Sequence, residues 1–256
     1  MSMQDLSPRQ SEILALARQV GRVSVEELAE HFDVTPQTVR KDLNDLCGYR
    51  LLQRVHGGAV LSSGVENLGY EARQILAQDE KQRIGLKAAE LIPDDCSLFI
   101  NIGTTTEQVA RALYGHRDLM VITNNINVAY MLRPAPSIDV IVAGGQVRQA
   151  DGGIVGEETA DFVKKFKVDY AVIGVSAIDE EGALLDFDYR EVRVAQAIIA
   201  NARNVMLVAD FMKLERSAPI RIGHLSQIDT FVTDHTPSEQ LVELCQNAGV
   251  TLAPTL

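Results

Sequence analysis

Between residues 100 and 107 the sequence reads Ile-Asn-Ile-Gly-Thr-Thr-Thr-Glu. An apolar run ends at a glycine, three hydroxyl residues follow, and a helical pattern begins. These residue types in this order suit a small anion. Gly103 lets the backbone turn tightly, and the amides at a helix start point outward with partial positive charge. The hydroxyls of Thr104, Thr105 and Thr106 add donors. Taken alone, the stretch is equally an ordinary threonine cap. Other apolar runs end in the same way: Thr123-Asn124-Asn125, then Ala143-Gly144-Gly145 with Asp151-Gly152-Gly153 close behind, then Gly174-Val175-Ser176-Ala177. Several polar or glycine-rich ends together predict a pocket. Neither GxxxxGK[ST] nor GxGxxG occurs, so a small phosphorylated ligand is expected rather than a nucleotide, and no cofactor is implied. Ile178 stands where a GxSxG nucleophile elbow needs glycine, which argues against a serine hydrolase.

Charged candidates surround this predicted pocket. Asp186, Asp188 and Glu191 precede or open a helix near Tyr189, where they suit ligand hydroxyls or the helix N-terminus. Lys213 follows a strand and offers a phosphate its counter-charge, or is simply solvated. The five histidines show no metal-binding spacing. Three cysteines, odd in number and far apart, argue against a disulfide framework and a zinc site and read as buried, inert thiols.

A second chemistry lies near the N-terminus. Ser7-Pro8-Arg9-Gln10 and Ser24-Val25-Glu26-Glu27 are capping boxes, and Thr35-Pro36 opens a third helix. Apolar residues recur at helical spacing after each cap, and Asp33-Val34 leaves room only for a tight turn between the second and third helices. That is the helix-turn-helix pattern, whose later helix enters the major groove of double-stranded DNA. Thr35, Gln37, Thr38, Arg40 and Lys41 lie at its start. Gln pairs with adenine, and Arg with guanine or phosphate. Two short alternating runs flank Gly57-Gly58, the mark of a hairpin placed as a wing, from which Arg54 and His56 reach phosphate or the minor groove. Packing against a protein partner is the alternative use of such a three-helix unit.

The elements that must hold these groups follow from patterning. Residues 1–61 form the winged unit and 62–77 read as a polar linker. From 78 to 256, strand-like runs (97–102, 120–123, 139–143, 170–175, 204–209 and 230–233) alternate with helical ones (81–91, 105–113, 125–132, 159–166, 189–201 and 238–248). Such alternation means an α/β domain with a largely parallel sheet, which binds ligands at the carboxyl ends of its strands. The net charge of −11 is unevenly spread: residues 1–62 hold 7 Lys/Arg against 8 Asp/Glu, and the remainder carries −10. An acidic body repels non-specific DNA, so docking rests on a few placed contacts. No apolar run approaches the roughly 18 residues of a membrane helix, and MSMQDLSPRQ lacks the signal-peptide pattern, so a cytoplasmic location without membrane contact is expected.

The stretches VSVEELAEHFDVTPQTVRKDLNDL and LLQRVHGGAVL resemble the winged helix-turn-helix of the DeoR family of bacterial repressors. LFINIGTTTEQVARAL, VITNNINVA, AGGQVRQADGGIVGE and LLDFDYREVR extend the resemblance over essentially the whole chain. It implies a repressor of a carbon-catabolism regulon, homo-oligomeric as a dimer or tetramer, with a C-terminal α/β sensor domain resembling sugar-phosphate isomerases. It further implies a phosphate loop at Gly103–Thr106 and effector contacts near Asn124, Gly145, Asp151 and Lys213. The implied effector is a phosphorylated metabolite, glycerol 3-phosphate first and another sugar or polyol phosphate second. Ala195, and Lys213-Leu214-Glu215, stand where many members have lysine and Lys-Phe-Gly. A different class stays open: a sugar-phosphate isomerase fused to a DNA-binding module, with Asp186 or Glu191 as its base.

Overall fold

Two compact units, Met1–Leu76 and Ala77–Leu256, make up the chain in a computed structural model that describes residues 6–20, 22–49, 51–55, 57–61, 69–214, 216–235 and 238–255. In the first unit, helix α1 (Pro8–Val20) starts at a closed capping box. The Ser7 amide donates to Gln10 Oε1 (3.0 Å) and the Gln10 amide to Ser7 Oγ (3.2 Å). Strand β1 (Arg22–Ser24) leads to α2 (Val25–His31), where Ser24 Oγ accepts from the Glu27 amide. The reciprocal half of that expected box is replaced, because the Glu27 carboxylate takes the Ser24 hydroxyl proton instead (2.8 Å). Helix α3 (Pro36–Gly48) follows through a turn in which Asp33 has φ +51° and the Val34 amide reaches Ala29 O (3.0 Å).

Strands β2 (Leu52–Val55) and β3 (Gly58–Leu61) form the wing, and β1 adds to β3 in a three-stranded antiparallel sheet. The turn falls one residue earlier than Gly57-Gly58 suggests. Val55 pairs with Gly58, so the second glycine already lies in the strand. Gly57 supplies the left-handed φ of +74°, whereas a Cβ on Gly58 would stand 2.0 Å from Val23 O. Ile13, Leu14, Leu28, Val39, Leu43 and Leu46 are buried. Each such side chain removed from water stabilises the unit by about 1.5–3 kcal/mol. A short helix α4 (Tyr70–Ile75) occupies part of the stretch that reads as linker.

The second unit runs α5 (Gln78–Glu90), β4 (Ser97–Ile100), α6 (Thr104–Ala112), β5 (Leu119–Thr123), α7 (Ile126–Leu132), β6 (Ile138–Val142), β7 (Gln146–Val147), β8 (Ile154–Val155), α8 (Glu157–Val163) and β9 (Val168–Ile173). It continues with β10 (Ala177–Ile178), β11 (Ala183–Asp186), α9 (Tyr189–Ala200), β12 (Ala202–Val208), β13 (Ile220–His224), β14 (Thr230–Thr233), α10 (Glu239–Ala248) and β15 (Thr251–Pro254). Seven strands pair in parallel in the order β15-β14-β12-β9-β4-β5-β6. Successive strand side chains point to opposite faces. Leu98, Ile100, Val172, Met206 and Val208 therefore meet one core with α5, α6 and α7. Phe99, Ala171, Ile173, Val205 and Leu207 meet another with α8, α9 and α10. Covering both faces explains the continuous apolar runs of the sequence. Of the three thiols, Cys245 is buried as expected, while Cys47 and Cys96 are half-buried.

From β4 the chain moves through β5 and β6 to one side, and from β9 through β12, β14 and β15 to the other. The strand order therefore reverses between β4 and β9, the switch point at which sheets of this kind take ligands in a crevice beyond the carboxyl ends of their strands. A hairpin (β7–β8) and a small antiparallel sheet (β10-β11-β13) complete the unit.

Candidate functional site

On the first unit, α3 presents its start to solvent. Thr35 caps the helix: its Oγ1 accepts from the Thr38 amide (3.3 Å), and the two threonine hydroxyls share a hydrogen bond (2.9 Å). Both hydroxyls thus serve the helix end. Gln37, Arg40 and Lys41 are exposed. Asn44, also exposed, is three residues beyond Lys41 and seven beyond Gln37, so the three share one face. That spacing was legible, and Asn pairs with adenine as Gln does. In the wing, Arg54 Nη1 donates to Gly58 O (3.0 Å), bracing the hairpin from an exposed position. His56 lies outside the described residues.

On the second unit, the polar strand ends converge. Gly103 is the N-cap of α6, and no side chain caps that helix. The first turn of α6 begins just beyond the carboxyl end of β4, where the amides of a helix start suit an anion. Thr106 serves the turn itself: fully buried, its Oγ1 donates to Asn101 O and Gly103 O, both at 2.8 Å. Thr104 and Thr105 are buried beside it. Asn101, the residue after β4, accepts from the Gly174 amide with its Oδ1 (3.0 Å) and so ties the ends of β4 and β9 together at the switch point. A lone asparagine inside an apolar run was its only signal.

After β5, Thr123 Oγ1 donates to Ile100 O (2.7 Å) and Asn125 caps α7. Asn124 Nδ2 donates to Ile154 O (3.0 Å), while its buried Oδ1 has no hydrogen-bond partner. The Glu107 carboxylate, buried in the first turn of α6, accepts from Asn125 Nδ2 (3.1 Å) and Asn127 Nδ2 (3.0 Å). Asn127 Nδ2 also reaches Asp151 O (3.0 Å). Gly145 serves packing, since a Cβ there would lie 2.2 Å from Thr159 Oγ1. After β9, Ser176 Oγ donates to Asp186 Oδ2 (2.9 Å). Lys213 is half-buried after β12, in the turn that begins at Asp210, whose buried Oδ1 lacks a partner.

The strongest polar cluster centres on Arg148, which the sequence reading missed. Its guanidinium donates to both oxygens of Asp151 (2.8 and 2.7 Å), to Asp188 Oδ2 (2.9 Å) and to Glu191 Oε2 (2.6 Å). It thereby fastens the β7–β8 hairpin to the start of α9. Burial opposes the Arg148 charge, but the bond and charge of Asp151, with Glu191 behind it, outweigh burial and raise its pKa. Burial also pushes Asp188 up, yet the hydrogen bonds from Arg190 and Arg148 hold it at about 2. For Glu191 burial wins: with the Asp186 charge it drives the carboxyl up to about 8, against the pull of Arg148. Four donors of Arg148 are thus committed to protein carboxylates, and the cluster meets a ligand mainly as hydrogen-bond acceptors. Among the described residues no group of His, Cys, Asp and Glu could hold a metal ion, and no helix is long and apolar enough to cross a membrane.

Two family models match the chain: the DeoR-like helix-turn-helix domain over residues 9–64 and the DeoR C terminal sensor domain over residues 76–235. The chain belongs to the DeoR family. Over 244 residues it is 46% identical to the glycerol-3-phosphate regulon repressor of Escherichia coli (strain K12), covering 95% of this chain and 97% of that one. The HTH-type transcriptional repressor CsqR of the same organism is 40% identical over 252 residues, 98% of this chain and 97% of its own. The sensor fold is also similar to ribose 5-phosphate isomerase from Methanocaldococcus jannaschii, at 15% identity and a TM-score of 0.40 over 54% of this chain and 55% of that one. These DeoR-family relatives are transcriptional repressors, and the family is regulatory rather than enzymatic.

Proposed function

We propose that this DeoR-family repressor acts in the cytoplasm as a homo-oligomer on a two-fold operator and is released by a phosphorylated metabolite, glycerol 3-phosphate first. The near full-length identity to a glycerol-3-phosphate regulon repressor carries this reading. The site chemistry supports it. Gly103, Thr104 and Thr105, with Thr106 holding the turn, stand at the start of α6, where backbone donors suit a phosphate. Asn124, Ser176, Asp151 and Asp186 surround that point with oxygen acceptors, which suit the hydroxyls of a polyol. Lys213 and Asn124 follow strands three places apart in the sheet, about 14 Å at the usual strand spacing. A three-carbon ligand spans half of that, so Lys213 and Gly145 are assigned to the rim of the site. DNA contact is assigned to Gln37, Thr38, Arg40, Lys41 and the wing residues Arg54 and His56, with Thr35 as the cap of their helix. One winged unit reads few base pairs, which is why a second copy is part of the reading.

Thermal unfolding of the purified protein against glycerol 3-phosphate, glycerol, inorganic phosphate and several sugar phosphates tests the sensor assignment. A ligand at about 100 times its dissociation constant adds roughly 2.7 kcal/mol. A shift with glycerol 3-phosphate alone supports it. A shift only with another phosphate keeps the sensor and changes its ligand. No shift with any compound refutes the site.

A further inference from the structure

Two side chains in the first turn of α1 grip α3 from its flank. Arg9 Nε donates to Asp42 Oδ2 at 2.6 Å, and Gln10 Nε2 donates to Asp45 Oδ2 at 3.2 Å. Asp42 is only 5% exposed. Gln10 also closes the Ser7 cap, so the start of α1 and its hold on α3 form one construction. Asp42, buried, lies at the edge of the packed face of α3, and Asp45, exposed, stands between it and the open face of Gln37, Lys41 and Asn44. Each residue of a helix turns about 100°, so a modest roll of α3 changes which of those side chains meets a base edge. The packing of Val39, Leu43 and Leu46 fixes which face of α3 turns inward, and rotamer changes within it leave only a small residual roll. A short, charge-assisted hydrogen bond has a fixed direction and restrains it well.

We propose that Arg9 and Asp42 are positioning residues for DNA readout: their bond sets the roll of α3, and Arg9 acts through Asp42 rather than by touching DNA. The proposal rests on the DNA-binding role of the family's helix-turn-helix. Its test uses the full-length protein, the duplex that this protein enriches from a random-sequence pool, and a scrambled duplex of equal length. Arg9→Met, Asp42→Asn and the double variant are titrated over a range of salt concentrations. Each single change is expected to weaken the enriched duplex about tenfold, and the double change by about the same factor, because both residues serve one bond. Affinity for the scrambled duplex and the slope of log affinity against log salt stay unchanged. Arg9→Lys, which keeps a charged donor near Asp42, recovers most of the loss. Undiminished binding by Asp42→Asn overturns the proposal. So does a salt slope reduced by about one in Arg9→Met with no coupling to Asp42, since Arg9 is then a phosphate contact. Thermal unfolding of each variant keeps the assay below its midpoint, and a loss that merely follows the unfolded fraction also overturns it.

Discussion

Replacing Arg148 by methionine keeps an unbranched apolar stem and removes the guanidinium with its charge. Four hydrogen bonds disappear, two of them to Asp151, whose side chain is 2% exposed. Asp188 retains Arg190 (2.9 Å), and Glu191, already raised to about 8, stands mostly protonated at pH 7. The group that loses most is therefore Asp151, which keeps the Gly153 amide (3.3 Å) but loses the positive charge beside it. Breaking a buried pair by removing one partner costs about 3–5 kcal/mol. In a unit of this size that lowers the midpoint of thermal unfolding by about 10 °C. The deficit has a pH signature. A buried carboxylate that has lost its counter-charge is protonated more readily, so the variant binds more protons when folded than its parent does, and acid relieves it. Calorimetric or fluorescence unfolding of both proteins at pH 5, 6, 7 and 8 measures the difference. It should be smallest at pH 5 and grow towards pH 8. A loss below about 1 kcal/mol, or one that does not vary with pH, refutes the picture of Arg148 as the counter-charge of this cluster.

Other perturbations follow from the same geometry. Glu191 has its pKa raised in the folded state, so its contribution is fully present below about 4.5 and is lost as pH rises through about 8; Glu191→Gln should flatten the fall in stability between about pH 5 and 8, and an unchanged fall argues against burial as the cause. Arg40→Ala should weaken specific DNA binding by about 1–3 kcal/mol if it reads a base, in a titration against the enriched duplex, with little change in unfolding temperature. Thr105→Val should leave DNA binding intact and blunt the response to effector; an undiminished response places the phosphate elsewhere.

The sheet was legible because it is buried on both faces. A strand such as Ser97–Ile100 is apolar at each of its buried positions, Leu98 to Ile100, and its run then stops abruptly at Asn101 and Gly103. The same abruptness exposed the strand ends, and so the residues of the crevice. Most strands that the pattern does not predict are short or interrupted. Gln146–Val147, Ile154–Val155 and Ala177–Ile178 are two residues each, Thr251–Pro254 ends in a proline that speaks against a strand, and Ala183–Asp186 and Ile220–His224 are short runs broken by charge or glycine. The Arg148 cluster was hidden for a different reason. Its partners Asp188 and Glu191 lie 40 and 43 residues away, and only the tertiary fold brings the hairpin to the start of α9. Gly58 shows the reverse error: its meaning was taken from its neighbour Gly57, whereas the contact that requires it is with Val23 in another strand.

The central claim is that a phosphorylated metabolite and operator DNA oppose each other through this chain. Reciprocity makes the claim measurable in one experiment, because a ligand that weakens DNA binding must itself be weakened by DNA. Binding of the enriched duplex is titrated with and without saturating glycerol 3-phosphate, and the ligand is then titrated with and without duplex. The expected result is a fall of tenfold or more in both affinities by the same factor, which takes only about 1.4 kcal/mol of coupling. Equal duplex affinity in the presence and absence of bound ligand contradicts the account.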